Sequence, residues 1–412
     1  MGTEGYSPSQ VRKAVRQAGK AASFQDASAD LRELAEIPIS ATHLHRLTER
    51  IGGEWQQQRD AEIEAFQENR LQRDYQKAPA VAAVMLDGGR YQTRAAQAGR
   101  GVSDAAWRED KVACCQTYAS RPASSDPQPE PPSKFLDRPQ VTRLAAELRA
   151  RSGRTAGRTE KTAPKPVPKR KRPRRRPTKR PQRLVRTVVA TTADNEAFGW
   201  QVAAEVHRRG LDKAQRKCCL GDGSNSIWAL FELHLLASGF IAILDFLHLL
   251  GHLYAGACAA EGKGTEAAWT LYTQWLCWAW SGKVVLLLGG LRSVCKRLGK
   301  APPEAGEEDA RRVAAETLTY VENNRGRMNY PEYRRLGLPI SSAPVESVIK
   351  QLNRRVKGSE KFWLKEGAEA VLQVRAAYLS EDGRAERYWQ RPRPYRHAVG
   401  GGRLPRPAAA KQ

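Results

Sequence analysis

From Pro344 to Trp363 the apolar residues Val345, Val348, Ile349, Leu352 and Val356 fall at i, i+3, i+4, i+7 and i+11. That spacing predicts a helix with one buried stripe. Pro344 suits its first turn, where a missing N–H costs little. Glu346, Lys350 and Asn353 share a neighbouring edge, so one acid near the helix start stands among Lys350, Arg354, Arg355 and Lys357. Two short apolar runs bounded by glycine read as strands: 80–86, ending on Asp87, and 217–221, ending on Asp222, with a helix to follow near Ser226.

Elsewhere the pattern is mostly helical. Segments 31–37 and 41–51 form a pair of short helices around the break IPIS, with Ser40 as cap of the second. The layout fits a helix-turn-helix, and equally an ordinary helical hairpin. Segment 100–120 predicts two strands. Segments 195–210 and 309–324 read as helices, and so does the region between His252 and Arg325. Its tryptophans Trp269, Trp275, Trp278 and Trp280 suit a domain core better than a base-stacking surface.

Composition changes abruptly at 121–183, where proline and charge dominate and culminate in PKPVPKRKRPRRRPTKRPQR. Dense like charge and repeated proline disfavour helix and sheet. A disordered insertion is expected there, its Lys169, Arg170, Lys171, Arg172, Arg174, Arg175 and Arg176 neutralising phosphates, with a solvated linker as the alternative. The tail 390–412 is expected to be disordered too. Over all 412 residues, 69 Lys and Arg against 44 Asp and Glu leave a formal charge of +25, which favours a polyanionic partner through salt-sensitive phosphate contacts. Seven cysteines with no Cys-x-x-Cys spacing make neither a disulfide framework nor a zinc finger and suit a reducing cytoplasm. The N-terminus lacks the apolar core of a secretory signal. The stretch 269–291 is interrupted by Gln274, Ser281 and Lys283 and does not read as membrane-spanning.

Each acid has an ordinary reading: Glu346 as the i, i+4 partner of Lys350, Asp87 and Asp222 as turn residues before glycine. Together they suit something else, because phosphodiester transfer needs hard oxygen ligands for two Mg²⁺ ions about 3.5–4 Å apart. Asp245, His248 and His252 lie at i, i+3 and i+7, and three readings stay open for them: zinc ligation, orientation of His248 by Asp245 behind the catalytic site or toward DNA, and core packing.

The motifs DGGR (87–90), GDGSNSIW (221–228), ILDFLHLLGHLY (243–254), NNRGRMNYPEYRRLGLPI (323–340) and PVESVIKQLNRRVKGSEKFW (344–363) carry a family resemblance. In this order the chain resembles the DDE transposases of bacterial insertion sequences, in the Kra-type group related to the Mutator superfamily. The resemblance spans 29–389 apart from the basic interruption. It implies an α/β fold, a ribonuclease-H-like mixed sheet flanked by helices, with the first acid on the first strand, the second at the end of the fourth, and the glutamate on a later helix. Residue by residue, Asp87, Asp222 and Glu346 match the catalytic, metal-holding acids, for two Mg²⁺ or Mn²⁺ ions. Asp245 competes with Asp222 for the second place, and Asp245 with His248 matches the Asp-x-x-His signature. Ser341-Ser342-Ala343-Pro344 replaces a more glycine-rich run of the family.

The domain plan that follows is a helical segment at 1–76, a first part of the core at 77–120, and the insertion at 121–184 between the third and fourth strands. A second part of the core at 185–252, a helical insertion at 253–340 and the glutamate helix with C-terminal helices at 341–389 complete it. Implied partners are double-stranded DNA, both element ends and target, contacted by Arg325, Arg327, Arg334, Lys350, Arg354, Arg355 and Lys357, with further copies of the chain on DNA and no membrane. The implied place is the bacterial cytoplasm, at the nucleoid. The alternatives are a ribonuclease-H-like nuclease that does not join strands, and an inactive or domesticated DNA-binding protein.

Overall fold

The computed structural model describes residues 6–75, 77–94, 106–151, 181–358 and 361–391. It begins with three helices, α1 (Pro8–Lys20), α2 (Phe24–Ala35) and α3 (Ala41–Gln67). Ser7, Ser23 and Ser40 cap them by accepting from the backbone N–H of Gln10, Asp26 and His43, each satisfying a donor the helix start leaves open. The expected hairpin is therefore a three-helix bundle, and α3 absorbs the connecting helix. Val11, Val15, Leu31, Leu44 and Ile51 pack together with Val374 and Tyr388 from the far end of the chain.

The centre is an open mixed sheet. β1 (Val81–Thr93) runs straight through Asp87 rather than ending on it, and β2 (Ala106–Ala119) pairs with it antiparallel, placing Asp87 opposite Val112 and Gly89 opposite Asp110. β3 (Gln182–Thr191) is antiparallel to β2, whereas β4 (Arg216–Gly221) and β5 (Ile241–Leu244) run parallel to β1 and to each other. The order is β3-β2-β1-β4-β5, with the short β6 (Phe362–Trp363) paired to the far end of β1.

Two expectations change here. Among the described residues of segment 100–120 there is one strand, β2, not two; the third strand comes only after the proline-rich stretch, which thus falls between the second and third strands. The stretch is also folded as far as residue 151. Phe135, Val141 and Ala145 are buried, and α4 (Arg138–Arg151) packs on α7 (Phe246–Glu261). These apolar positions sit among prolines and charges, where a composition average hides them. The basic residues 169–176 and the tail from 392 lie outside the described residues.

α5 (Asn195–Arg208) and α6 (Asn225–His234) follow β3 and β4. α5 covers one face of the sheet, where Arg209 just past its end donates to Thr187 Oγ1 at 2.9 Å. α7 with α8 (Glu266–Trp280), α9 (Val284–Leu298) and α10 (Ala310–Asn324) forms the helical region beside β5, with Tyr272, Trp275 and Trp280 in its core. α11 (Tyr330–Arg335) leads back to α12 (Ala343–Val356), which crosses β1 and β2 and buries Val345, Val348, Ile349, Leu352 and Val356 as its spacing predicts.

α13 (Lys365–Leu379) lies along the outer edge of β3, and α14 (Arg384–Gln390) ends the described chain. Ser380 and Glu381 accept from the N–H groups of Val188 and Arg186, Gln373 donates to the Ala190 carbonyl, and Glu369 accepts from the Thr192 N–H. With the Glu381 N–H donating to the Arg186 carbonyl at 2.8 Å, that edge is satisfied by α13 and the residues after it rather than by another strand. Cys114, Cys115, Cys218 and Cys219 are buried free thiols on β2 and β4. No helix among the described residues is long and apolar enough to cross a membrane.

Candidate metal centre at the strand ends

Parallel pairing sets the site. Met85 is in register with Leu220 and Gly221 with Leu244, so Asp87, Asp222 and Asp245 continue three neighbouring strands on one face, strands lying about 4.8 Å apart. The Asp245 N–H extends the ladder by donating to the Gly221 carbonyl at 2.8 Å. Asp87 Oδ1 accepts from the Gly88 N–H at 2.7 Å. Gly88 and Gly89 serve a purpose the sequence does not reveal: a Cβ at either would stand 2.7 Å from Glu109 Oε1 or 2.6 Å from Asp110 Oδ1. The Asp-Gly-Gly pattern makes room for two further acids on β2.

Asp222 opens the turn into α6. Its Oδ1 accepts from the Ser224 N–H at 2.9 Å, and its carbonyl accepts from the Tyr320 hydroxyl at 2.7 Å. Gly223 has φ +100 with Tyr320 packed against it, a position at which a side chain would be strained. His252 stacks on the Tyr320 ring at 3.7 Å and so supports this turn.

Asp245 caps α7 and is fully buried. Its Oδ2 accepts from the His248 N–H at 3.1 Å and from His248 Nδ1–H at 2.6 Å, and its Oδ1 from the Ser342 N–H at 2.7 Å. Burial opposes charge on both side chains, but their hydrogen bond and mutual attraction win. Asp245 is held below the ordinary carboxylate range and His248 is raised to about 9, with Asp87 and Asp222 adding to the pull. The Ser342 bond, with one from the Phe246 N–H to the Ile340 carbonyl, fastens the entry of α12 to the start of α7. Ser342 is part of this joint.

Glu346 is buried in the first turn of α12. Ligand atoms of Asp245, His248 and Glu346 lie within 4.8 Å of one another, and among the described residues this is the set of three at that spacing. Asp87 and Asp222 stand beside it rather than in it. Of the two candidates for second acid, Asp245 already spends most of its acceptor positions on N–H donors, whereas Asp222 Oδ1 accepts from the Ser224 N–H of its own turn. The carboxylates of Asp87, Asp222 and Glu346 are hard oxygen ligands of the kind Mg²⁺ or Mn²⁺ takes. A structural zinc site usually has four protein ligands, and this cluster offers three, none of them cysteine.

The predicted phosphate contacts divide. Arg325, Arg354 and Lys357 are exposed; Arg327 is half-buried, its guanidinium 4.5 Å from the Trp228 ring centroid. Lys350 Nζ reaches Glu147 on α4 at 3.1 Å. Arg334 and Arg355 are corrected. Arg334 is buried, forked onto Asp126 and stacked on Trp280. Arg355, 2% exposed, donates to the Ala18 carbonyl at 2.8 Å and lies over Phe24 and Trp363. Both guanidiniums hold helices together, and spacing along a helix cannot distinguish a basic residue facing solvent from one filling a joint. Compared with protein-family models and with curated proteins, the chain matches none.

Proposed function

We propose that this chain is a DDE-type DNA transposase, cutting the ends of its own mobile element and joining them to target DNA by metal-assisted phosphoryl transfer. The observation that carries the reading is the row of Asp87, Asp222 and Asp245 across three adjacent strands, with Glu346 brought to the same place by α12. The finer description of the sheet as ribonuclease-H-like is supported by its order, three antiparallel strands continued by two parallel ones with the first acid on the central strand.

In this reading Asp87, Asp222 and Glu346 hold two Mg²⁺ or Mn²⁺ ions, which when bound activate the attacking oxygen and stabilise the leaving one. Asp245 keeps His248 oriented and, through Ser342, sets the height of Glu346 over the sheet. The exposed Arg325, Arg354 and Lys357 neutralise phosphates, in a chain whose charge of +25 favours DNA.

The test is a strand-transfer assay with purified protein, Mn²⁺ and DNA carrying the flanks of its own gene. Joined products are expected. Cleavage without joining would indicate a nuclease, and binding alone a DNA-binding protein. Asp87→Asn is expected to abolish cleavage and spare DNA binding; a variant that still cuts would remove Asp87 from the mechanism.

A further inference from the structure

Asp110 has no ion pair of the kind that neutralises three other buried acids. Glu205 pairs with Arg208 and Arg384, Glu369 with Arg59, and Asp245 with His248. Asp110 is 0% exposed, and neither carboxylate oxygen has a hydrogen-bond partner outside its own residue. It stands opposite Gly89, hence on the face of Asp87 and two residues along from it. Its oxygens would be 2.6 and 2.7 Å from a Cβ at Gly89, so the carboxylate reaches over β1 into space that a side chain would fill.

The other boundary of that space is α12. Its first turn holds Glu346 beside Asp245, and just past its end the Gly358 carbonyl accepts from Gln92 on β1. Rising about 1.5 Å per residue against about 3.3 Å along a strand, the helix brings Asn353 level with Gly89 and Arg90. Asn353 Oδ1 is likewise buried without a partner. Burial pushes the Asp110 carboxyl up to about 6 against the pull of its own backbone N–H, with Glu109 adding to the rise and Lys357 and Lys111 opposing it. At neutral pH it is still ionised, and a dry carboxylate with no partner beyond its own N–H is costly unless the site has an occupant.

We propose that Asp110 is a fourth carboxylate of the cation site, holding a hard divalent ion on the β2 side of Asp87 with Asn353 Oδ1 beside it. This rests on the metal reading above and extends it. Two divalent ions face three carboxylates in that reading, and a fourth acid balances their charge. Asp110 and Asn353 also supply the hard oxygens that Mg²⁺ and Mn²⁺ take.

The experiment is a Mn²⁺ titration of metal-free full-length protein, followed by calorimetry and by the paramagnetic signal of free Mn²⁺, without DNA. Two ions per chain are expected for the unaltered protein. Asp110→Asn should leave one, or weaken the second at least about tenfold. The metal-free variant should also melt at a higher temperature, because a buried charge has been removed; this also shows that it is folded. Asn353→Ser, which keeps Asp110, should weaken the same ion. Unchanged stoichiometry and affinity in both variants would overturn the assignment of Asp110. Absence of Mn²⁺ binding by the unaltered protein would instead overturn the metal reading, and this assignment with it.

Discussion

Replacing Asp245 by asparagine would keep the shape of the α7 cap and remove the charge that holds His248 protonated. The His248 imidazole has an ordinary value of 6.5 and stands at about 9 in the folded protein. At about 1.4 kcal/mol per pH unit, that gap is worth about 3 kcal/mol. The ring is only 15% exposed, so solvent screens little of it. Because the folded value is the raised one, the stabilisation is whole below pH 6.5 and declines as pH rises, until it is lost above about 9. Urea unfolding of chelator-treated protein from pH 6 to 10 measures the slope, and the His248 imidazole resonance measures the titration. In Asp245→Asn the slope over that window should flatten and the imidazole should titrate well below 9. If it still titrates near 9, the charge that raises it comes from elsewhere, and the account of Asp245 as the residue that orients His248 fails.

Glu205 supplies a second test, away from the site. Burial would raise its carboxyl, but Arg384 and Arg208 override this and hold it down to about 2. Glu205→Gln leaves both guanidiniums with too few acids and should cost about 3 kcal/mol at pH 7. Since the folded value is depressed, the difference from the unaltered protein should shrink as pH falls from 4.5 toward 2, read by urea unfolding at each pH. A Cβ on Gly52 would meet the Ala370 carbonyl oxygen at 2.4 Å. Gly52→Val should therefore push α3 off α13 at about 1–3 kcal/mol, seen as a lower melting temperature and faster proteolysis within the N-terminal bundle.

The glutamate helix was the most legible element, because its five apolar residues repeat at one period and each is buried where that period puts it. The apolar runs before Asp87 and Asp222 are legible for a related reason, each being short, bounded by glycine and followed by an acid, although β1 continues past Asp87 to Thr93. What escaped reading depends on partners far away in sequence. Nothing near Gly89 says that Asp110 will occupy its empty side. Nothing near Arg355 says that its charge will be spent on the carbonyl of Ala18. β6 is two residues long, too short for any alternation to show. α4 was lost in a stretch whose average is proline and charge, although Phe135, Val141 and Ala145 are enough to anchor it.

The covered flank of β3 limits how copies of this protein can meet. A strand with bare amide and carbonyl groups is a template for strand addition from a neighbouring molecule. Here Ser380, Glu381, Gln373 and Glu369 occupy that template from within the same chain. At the opposite flank, β5 offers only four residues. If copies gather on DNA as the proposed function requires, they would therefore meet through helical surfaces, or through the DNA itself, rather than by merging their sheets at β3.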